Sequence, residues 1–286
     1  MRRVVDTLHH ILKTPLIDLH VHTKFSDGEC NIENVYNTFK SRPFFILGVA
    51  DHYSSSRYLP FRMERKNLPN YLLTLDRFGL RRGIEADIFE DGNLSINLSE
   101  KNMFEYVLAG LHRIYGVSLW DEEWPAWNLK QIAELIRVAL IKAIESKIVD
   151  VIVHPTWFPK KVRNKIEDFI SKDWSESIVL AAATNNVAVE ISGAWHVPNK
   201  DFIKICLKHG VKIALGSDAH FEGEIGELTY PFLILNELNA TMEDLFIPKT
   251  NPLKIELESS SIKGKSLING LTIMFKSFNI FRRNKT

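Results

Sequence analysis

The chain has 286 residues, 45% of them hydrophobic, and a formal net charge of +1. That length suits one large domain or two small ones, and near-zero charge supplies no global field that would draw the protein to nucleic acid or a membrane. The two cysteines, Cys30 and Cys206, are too few for a disulfide framework or a thiolate zinc cage, so they read as buried thiols in a reducing compartment.

In chain order, residues 4–13 can form a short helix before Pro15 that caps one end of the fold. Asp6, His9, His10 and Lys13 interrupt any signal-peptide core there. With no apolar run long enough to span a bilayer, a cytoplasmic protein is expected. Leu16, Ile17, Leu19 and Val21 then read as a buried strand that ends in His20 and His22. Residues two apart in an extended chain share a face, so the two imidazoles project together. Ser26-Asp27-Gly28 is a loop with a carboxylate five residues past the second histidine.

Asn31 is the expected N-cap of a helix whose inner face carries Ile32, Val35 and Phe39. A second buried strand, Phe44 to Ala50, finishes at Asp51-His52. Residues 57–78 read as helical, broken near Pro60 and Pro69. The strand Arg81–Ala86 ends with Glu85, and Asp91-Gly92-Asn93 signals a turn. A fourth strand, Tyr106–Leu111, runs into His112. Leu129, Ile132, Ala133, Ile136, Leu140, Ala143 and Ile144 have helical periodicity behind Asn128 as cap. The fifth strand, Ile148–Val153, ends in His154-Pro155, and residues 162–184 read as the next helix. Strand six, Val187–Ile191, contains Glu190. A helix from Pro198-Asn199 buries Phe202, Ile205 and Cys206 and stops at Gly210, and strand seven, Val211–Leu215, leads into Asp218-Ala219-His220.

Seven buried strands alternating with helices call for a parallel sheet with helical crossovers, here an α/β barrel occupying residues 16–250. In such a barrel the C-terminal strand ends meet on one face, where these folds build their sites. The residues gathered there are His20, His22, Asp27, His52, Glu85, His112, His154, Asp218 and His220. Imidazoles and carboxylates without thiolate suit Zn, Mn or Fe rather than Ca or Mg. So many ligands exceed the needs of one ion and suit two or three if a carboxylate bridges. Glu190, just inside a strand end, is expected to support a ligand rather than to be one.

These motifs resemble the PHP (polymerase and histidinol phosphatase) family: Asp18-Leu19-His20-Val21-His22-Thr23 with Ser26-Asp27-Gly28, Ala50-Asp51-His52, Gly83-Ile84-Glu85, His112, His154-Pro155 and Gly216-Ser217-Asp218-Ala219-His220. The segment Gly83–Gly92 resembles the branch related to the PHP domains of bacterial family X polymerases. The resemblance implies an irregular seven-stranded (β/α)7 barrel with a trinuclear metal site. By motif, one ion takes His20, His22, Glu85 and Asp218. A second takes His112 and His154 and shares Glu85, and a third takes Asp27, His52 and His220.

Two ions sharing a bridging water lower its pKa and give a hydroxide nucleophile near neutral pH. The expected reaction is hydrolysis of a small-molecule phosphomonoester, with Glu85 and Asp218 at the reacting centre. Phosphate also calls for Arg or Lys, and the candidates are Lys24 and Arg113, with Lys160 and Lys161 after His154-Pro155. His196 is a candidate proton donor to the leaving oxygen. The alternative is a nuclease or nucleotide-processing phosphoesterase on the same ions, which would need a basic groove; no obligate nucleic acid is expected. Amidohydrolases also open with His-x-His on a β/α barrel, but a lysine commonly bridges their metals where this chain offers Glu85. Trp120, Trp124 and Trp127 crowd one loop and can either stack on an aromatic or sugar ring or pack together. Residues 251–286 form a C-terminal extension whose last part, Ile262–Thr286, is basic with interleaved apolar residues. It reads as a helix packed on the barrel, with an arm for an anionic partner as the other reading.

Overall fold

The computed structural model describes residues 16–56, 58–121 and 123–249. The expected N-terminal cap and the basic extension lie outside these residues. Seven parallel strands pair in chain order: β1 (Leu16–Asp18), β2 (Phe44–Val49), β3 (Arg81–Asp87), β4 (Tyr106–Gly110), β5 (Val151–Ile152), β6 (Ala188–Ser192) and β7 (Ile213–Gly216). Buried apolar runs such as Ile46–Val49 and Tyr106–Ala109 suit strands covered on both faces. Beyond β1 the chain stays alongside the last strand. The Leu19 N–H donates to the Leu215 carbonyl (3.0 Å), the His22 N–H donates to that of Ala219 (2.9 Å), and Val21 bridges Ala219 in parallel. The sheet is thereby a nearly closed barrel, the α/β architecture expected. Among the described residues no helix is long and apolar enough to cross a membrane.

Helices join the strands, and their starts follow from local chemistry. Helix α1 (Ile32–Ser41) opens with a capping box, in which the Asn31 and Asn34 side chains each accept the other's backbone N–H. Helix α2 (Leu68–Phe78) ends at Gly79, where φ is 66°. Asn128, Ser171 and Asn199 cap α3 (Leu129–Glu145), α4 (Lys172–Asn185) and α5 (Lys200–Lys208). The inner face of α3 buries Ile132, Ile136, Leu140 and Ile144, each contributing about 1.5–3 kcal/mol by leaving water.

Four elements differ from the sequence reading. Residues 57–78 are not one interrupted helix: Met63–Glu64 is a short strand, Arg65–Asn67 a 3-10 turn, and only α2 is α-helical. Pro69 does not break α2, because it lies in the first turn, where no backbone N–H is needed. Residues 162–184 divide into a short helix (Arg163–Ile166), a 3-10 turn (Glu167–Phe169) and α4, because Ser171 caps a fresh start. His52 does not finish β2 but opens a separate strand, His52–Ser54, which pairs with the outer half of β3. A further helix, α6 (Thr229–Glu237), follows the last motif and carries an apolar run that includes Phe232, Ile234 and Leu235.

Candidate metal centre

The strand ends converge on Glu85. Its carboxylate is fully buried and faces five imidazoles. Oε2 lies 2.8 Å from His52 Nδ1, 3.2 Å from His20 Nε2 and 3.5 Å from His22 Nε2. Oε1 lies 3.2 Å from His112 Nε2 and 3.4 Å from His154 Nε2. The register explains the first contact: His52 stands beside Glu85 across the strand pair, and opposed residues of parallel strands share a face. Gly110, at the end of β4, makes room for the others. A Cβ there would come within 2.7 Å of the His154 ring, 2.8 Å of the His112 ring and 2.9 Å of Glu85 Oε1.

The remaining residues extend this network. His22 Nε2 lies 3.0 Å from Asp218 Oδ1, and His20 Nε2 lies 3.5 Å from the same oxygen. Asp27 gathers a second group, at 3.5 Å from His220 Nε2, 3.7 Å from His52 Nε2 and 3.8 Å from His22 Nδ1. His22 and His52 thus each stand between the two groups. Among the described residues, three sets of donor atoms are close enough to hold an ion: His22, Asp27, His52 and His220; His20, His22 and Glu85; His52, Glu85 and His112.

Electrostatics mark the cluster as made for cations. Burial would raise Glu85, but His52, His20 and His112 outweigh it and hold the carboxylate well below its usual range. Asp218 is likewise held low by His20 and His22 against its burial. Burial would lower His112, but Glu85 and Asp87 raise it to about 9. His220 is raised to about 9, against its burial, by Asp27 and Asp218. Burial wins at His52, which falls to about 4 despite Glu85.

A metal fits these residues. His20 Nε2, His22 Nδ1, His52 Nδ1, Asp27 Oδ1 and both Glu85 oxygens are buried without a hydrogen-bond partner. Unpaired polar atoms in such a place are costly, and a cation satisfies them together. The outer nitrogens are spoken for. His20 Nδ1–H donates to Glu190 Oε1 (2.7 Å), and His112 Nδ1–H donates to Asp87 Oδ1 (2.9 Å). Once the ring is neutral, each bond fixes the tautomer whose Nε2 lone pair points inward, as metal-binding histidines require. Glu190 also accepts the His154 N–H (3.0 Å). That bond steadies a residue whose φ of 33° is unusual outside glycine, and Asp218, at 54°, shares the left-handed region.

Several residues here escaped the sequence reading. Asp87 is held by both arms of Arg62, at 2.8 and 2.9 Å. Its spacing from Glu85 along one strand face was the available signal; Arg62 gave none. Asp51 accepts from the Thr23 N–H, the Thr23 hydroxyl and the Ser26 hydroxyl, pinning the loop that carries Asp27. Asp18 accepts from the N–H and hydroxyl of Ser217 and the N–H of Gly226, tying β1 to the last motif. Trp195 Nε1–H donates to Asp218 Oδ2 at 2.5 Å. His196, the residue after it, is exposed, and its ring stacks on Tyr230. Lys24 is exposed on the first loop, and Arg113 is half-buried one residue past His112. Lys160 and Lys161 are exposed.

A parallel β/α barrel with imidazoles and carboxylates gathered around one buried glutamate defines a metal-binding α/β scaffold. The chain belongs to the PHP domain family, whose model matches residues 18–194; Asp218 and His220 follow the matched stretch. It is 26% identical over 269 residues to a probable phosphatase of Aliivibrio fischeri, covering 88% of this chain and 95% of the relative. A probable phosphatase of Caldicellulosiruptor saccharolyticus is 27% identical over 260 residues, covering 88% and 98%. In fold, the chain is similar to the crystal structure of histidinol phosphate phosphatase from Lactococcus lactis, in complex with zinc, L-histidinol and phosphate. The TM-score is 0.61 at 16% identity, over 79% of this chain and 94% of that one. Family and relatives together place the chain among PHP-type phosphatases.

Proposed function

We propose that the protein hydrolyses a small-molecule phosphomonoester with two or three divalent transition ions held in the Glu85 cluster. The observation that carries this reading is Glu85 itself: its two oxygens face two different sets of imidazoles and have no hydrogen-bond partner. His20, His22, Glu85 and Asp218 would hold one ion. His112 and His154 would hold a second and share Glu85, and Asp27, His52 and His220 a third. Bound there, the ions would supply an activated water and positive charge for the phosphoryl oxygens. That a barrel of this fold holds zinc, L-histidinol and phosphate supports a small phosphorylated substrate here.

The chain's own residues do the rest. Glu190 and Asp87 orient His20 and His112 so that each offers its inner nitrogen. Trp195 occupies one Asp218 oxygen and leaves the other to the histidines. Lys24, on the first loop, and Arg113, one residue past His112, are the cations assigned to meet the phosphate. His196, beside Trp195, is the candidate donor of a proton to the leaving oxygen.

The test is hydrolysis by the full-length protein, loaded in turn with Zn, Mn or Fe, of a panel of phosphomonoesters, read by phosphate release, and of a phosphodiester, read by release of its alcohol. Monoester turnover that chelation abolishes is expected. Turnover of the diester alone would replace this reading with a nuclease-type one, and no turnover of any ester by metal-loaded protein would refute it.

A further inference from the structure

Arg62 is a cation brought to the metal centre by a loop that the motifs do not include. It stands one residue before the short strand Met63–Glu64, which pairs with His52–Ser54 beside the outer half of β3. That pairing carries its side chain to Asp87 of β3. Arg62 Nε–H and Nη2–H donate to the two Asp87 oxygens at 2.8 and 2.9 Å, and Asp87 Oδ1 also accepts from His112 Nδ1–H. The Arg62 side chain is only 9% exposed, and its remaining nitrogen meets the other ligand group: Nη1 lies 3.9 Å from Asp27 Oδ2.

The backbone is forced at this point. Phe61, the preceding residue, has a φ of 61°, an outlier for a bulky side chain. Its ring is 72% exposed, so packing of the ring does not account for the conformation. What the turn secures is the pair that follows, Arg62 clamped on Asp87 and Met63 buried in the core.

A guanidinium carries five N–H groups in a rigid fork. Asp87 takes two of them, and among the described residues Nη1 makes no hydrogen bond. A mostly buried cation with idle donors calls for an anion. Asp27 cannot fill that role while it serves as a metal ligand, because its charge then goes to the ion. The planar donor edge left beside the ligand groups matches the oxygens of a phosphoryl group. The other candidate cations are less committed to the centre: Lys24 is exposed, and Arg113 Nη1 donates to the Gly116 carbonyl of its own hairpin at 3.4 Å.

We infer that Arg62 contacts the substrate: locked on Asp87 by one edge, it donates from Nη1 to a non-bridging oxygen of the phosphoryl group. A single carboxylate, Asp87, thereby aims both the His112 imidazole and the Arg62 guanidinium. The inference rests on the phosphomonoesterase reading and adds a phosphate-contacting residue that the motif set lacks.

The test is binding of inorganic phosphate, measured by equilibrium dialysis with zinc-loaded full-length protein. Wild type, Arg62→Gln and Arg62→Lys are compared at equal zinc content, established by elemental analysis. Losing a charge-assisted hydrogen bond weakens binding by about 10–100-fold, and Arg62→Gln should show that loss. Arg62→Lys keeps the charge but cannot hold Asp87 through a fork and reach the phosphate as well, so it should recover only part of the affinity. For the best phosphomonoester of the panel, kcat/KM should fall in step. Unchanged phosphate affinity in Arg62→Gln overturns the inference while the phosphatase reading stands. So does a loss that disappears between samples matched in zinc, since Arg62 would then act only through Asp87 and His112. If Arg62→Gln does not fold, Arg62→Lys decides, and wild-type phosphate affinity in that variant overturns the inference. Hydrolysis of no ester by the metal-loaded wild type removes the phosphatase reading, and this inference with it.

Discussion

Glu190 tests whether the cluster is held from outside. Its carboxylate is almost fully buried and does two jobs, accepting His20 Nδ1–H at 2.7 Å and the His154 N–H at 3.0 Å. Glu190→Gln keeps the shape but has a single acceptor oxygen, so its amide nitrogen must face one of the two donors. Leaving a buried donor unsatisfied costs about 1–3 kcal/mol. For a domain of this size that lowers the melting temperature of metal-free protein by about 2–4 °C per kcal/mol. The imidazole is affected as well. Burial pulls His20 down, and Asp218, Glu190 and Glu85 together outweigh it. Without that charge His20 is a poorer base and its ring is less firmly aimed. Loss of such a supporting partner lowers metal affinity by about 10–100-fold. Competition with a chromophoric zinc chelator measures the affinity, and calorimetry of chelated protein measures the melt. A variant that matches wild type in both would refute the claim that Glu190 positions the centre.

Three further outcomes are expected. Glu85→Gln removes the charge that faces five imidazoles; metal content measured by elemental analysis should fall and turnover should drop by about a hundredfold or more, and full metal with full turnover would show that Glu85 does not bridge. Gly110→Ala drives a methyl into His112, His154 and Glu85, so about 1–3 kcal/mol of stability should be lost together with metal binding, and an unchanged melt with unchanged metal content would contradict the packing described. Metal uptake should release protons: His112 and His220 are raised to about 9 in the metal-free protein, so both are charged at pH 7.5 and must deprotonate to bind. Affinity should therefore climb as pH rises toward 9, and titration calorimetry in buffers of different ionisation enthalpy should detect the released protons; heats independent of buffer would refute this.

Much of this architecture could be read from residue order. Strand period and apolar runs located the barrel strands, and each motif residue stands at a strand end because parallel topology puts those ends on one face. What could not be read depends on partners distant in sequence. The break at Ala50–Asp51 that sends His52 to the side of Glu85 is set by pairing with β3. Arg62 has meaning only through Asp87, twenty-five residues away. The tryptophans misled for the same reason: Trp124 and Trp127 are neighbours of Trp120 in the chain, but Trp157 and Trp195 are its neighbours in space. Helix α6 lies past the last motif, and its apolar run alone does not separate a helix from a strand.

The closure between β1 and β7 has a consequence for how the molecule comes into being. Asp18 waits for Ser217 and Gly226, and His22 waits for Asp218, 196 residues further on. A chain emerging from its N-terminus can pair β1 with β2 early, but the other edge of β1 stays bare until nearly the whole barrel has been synthesised. Contacts of such separation form late, since the chain entropy they cost is recovered only when they close. The histidines that follow β1 are thus made before the rest of the barrel and are among its last residues to be fully surrounded. An ion held by this whole cluster cannot template the early steps of folding: the cluster is complete only once synthesis has passed His220.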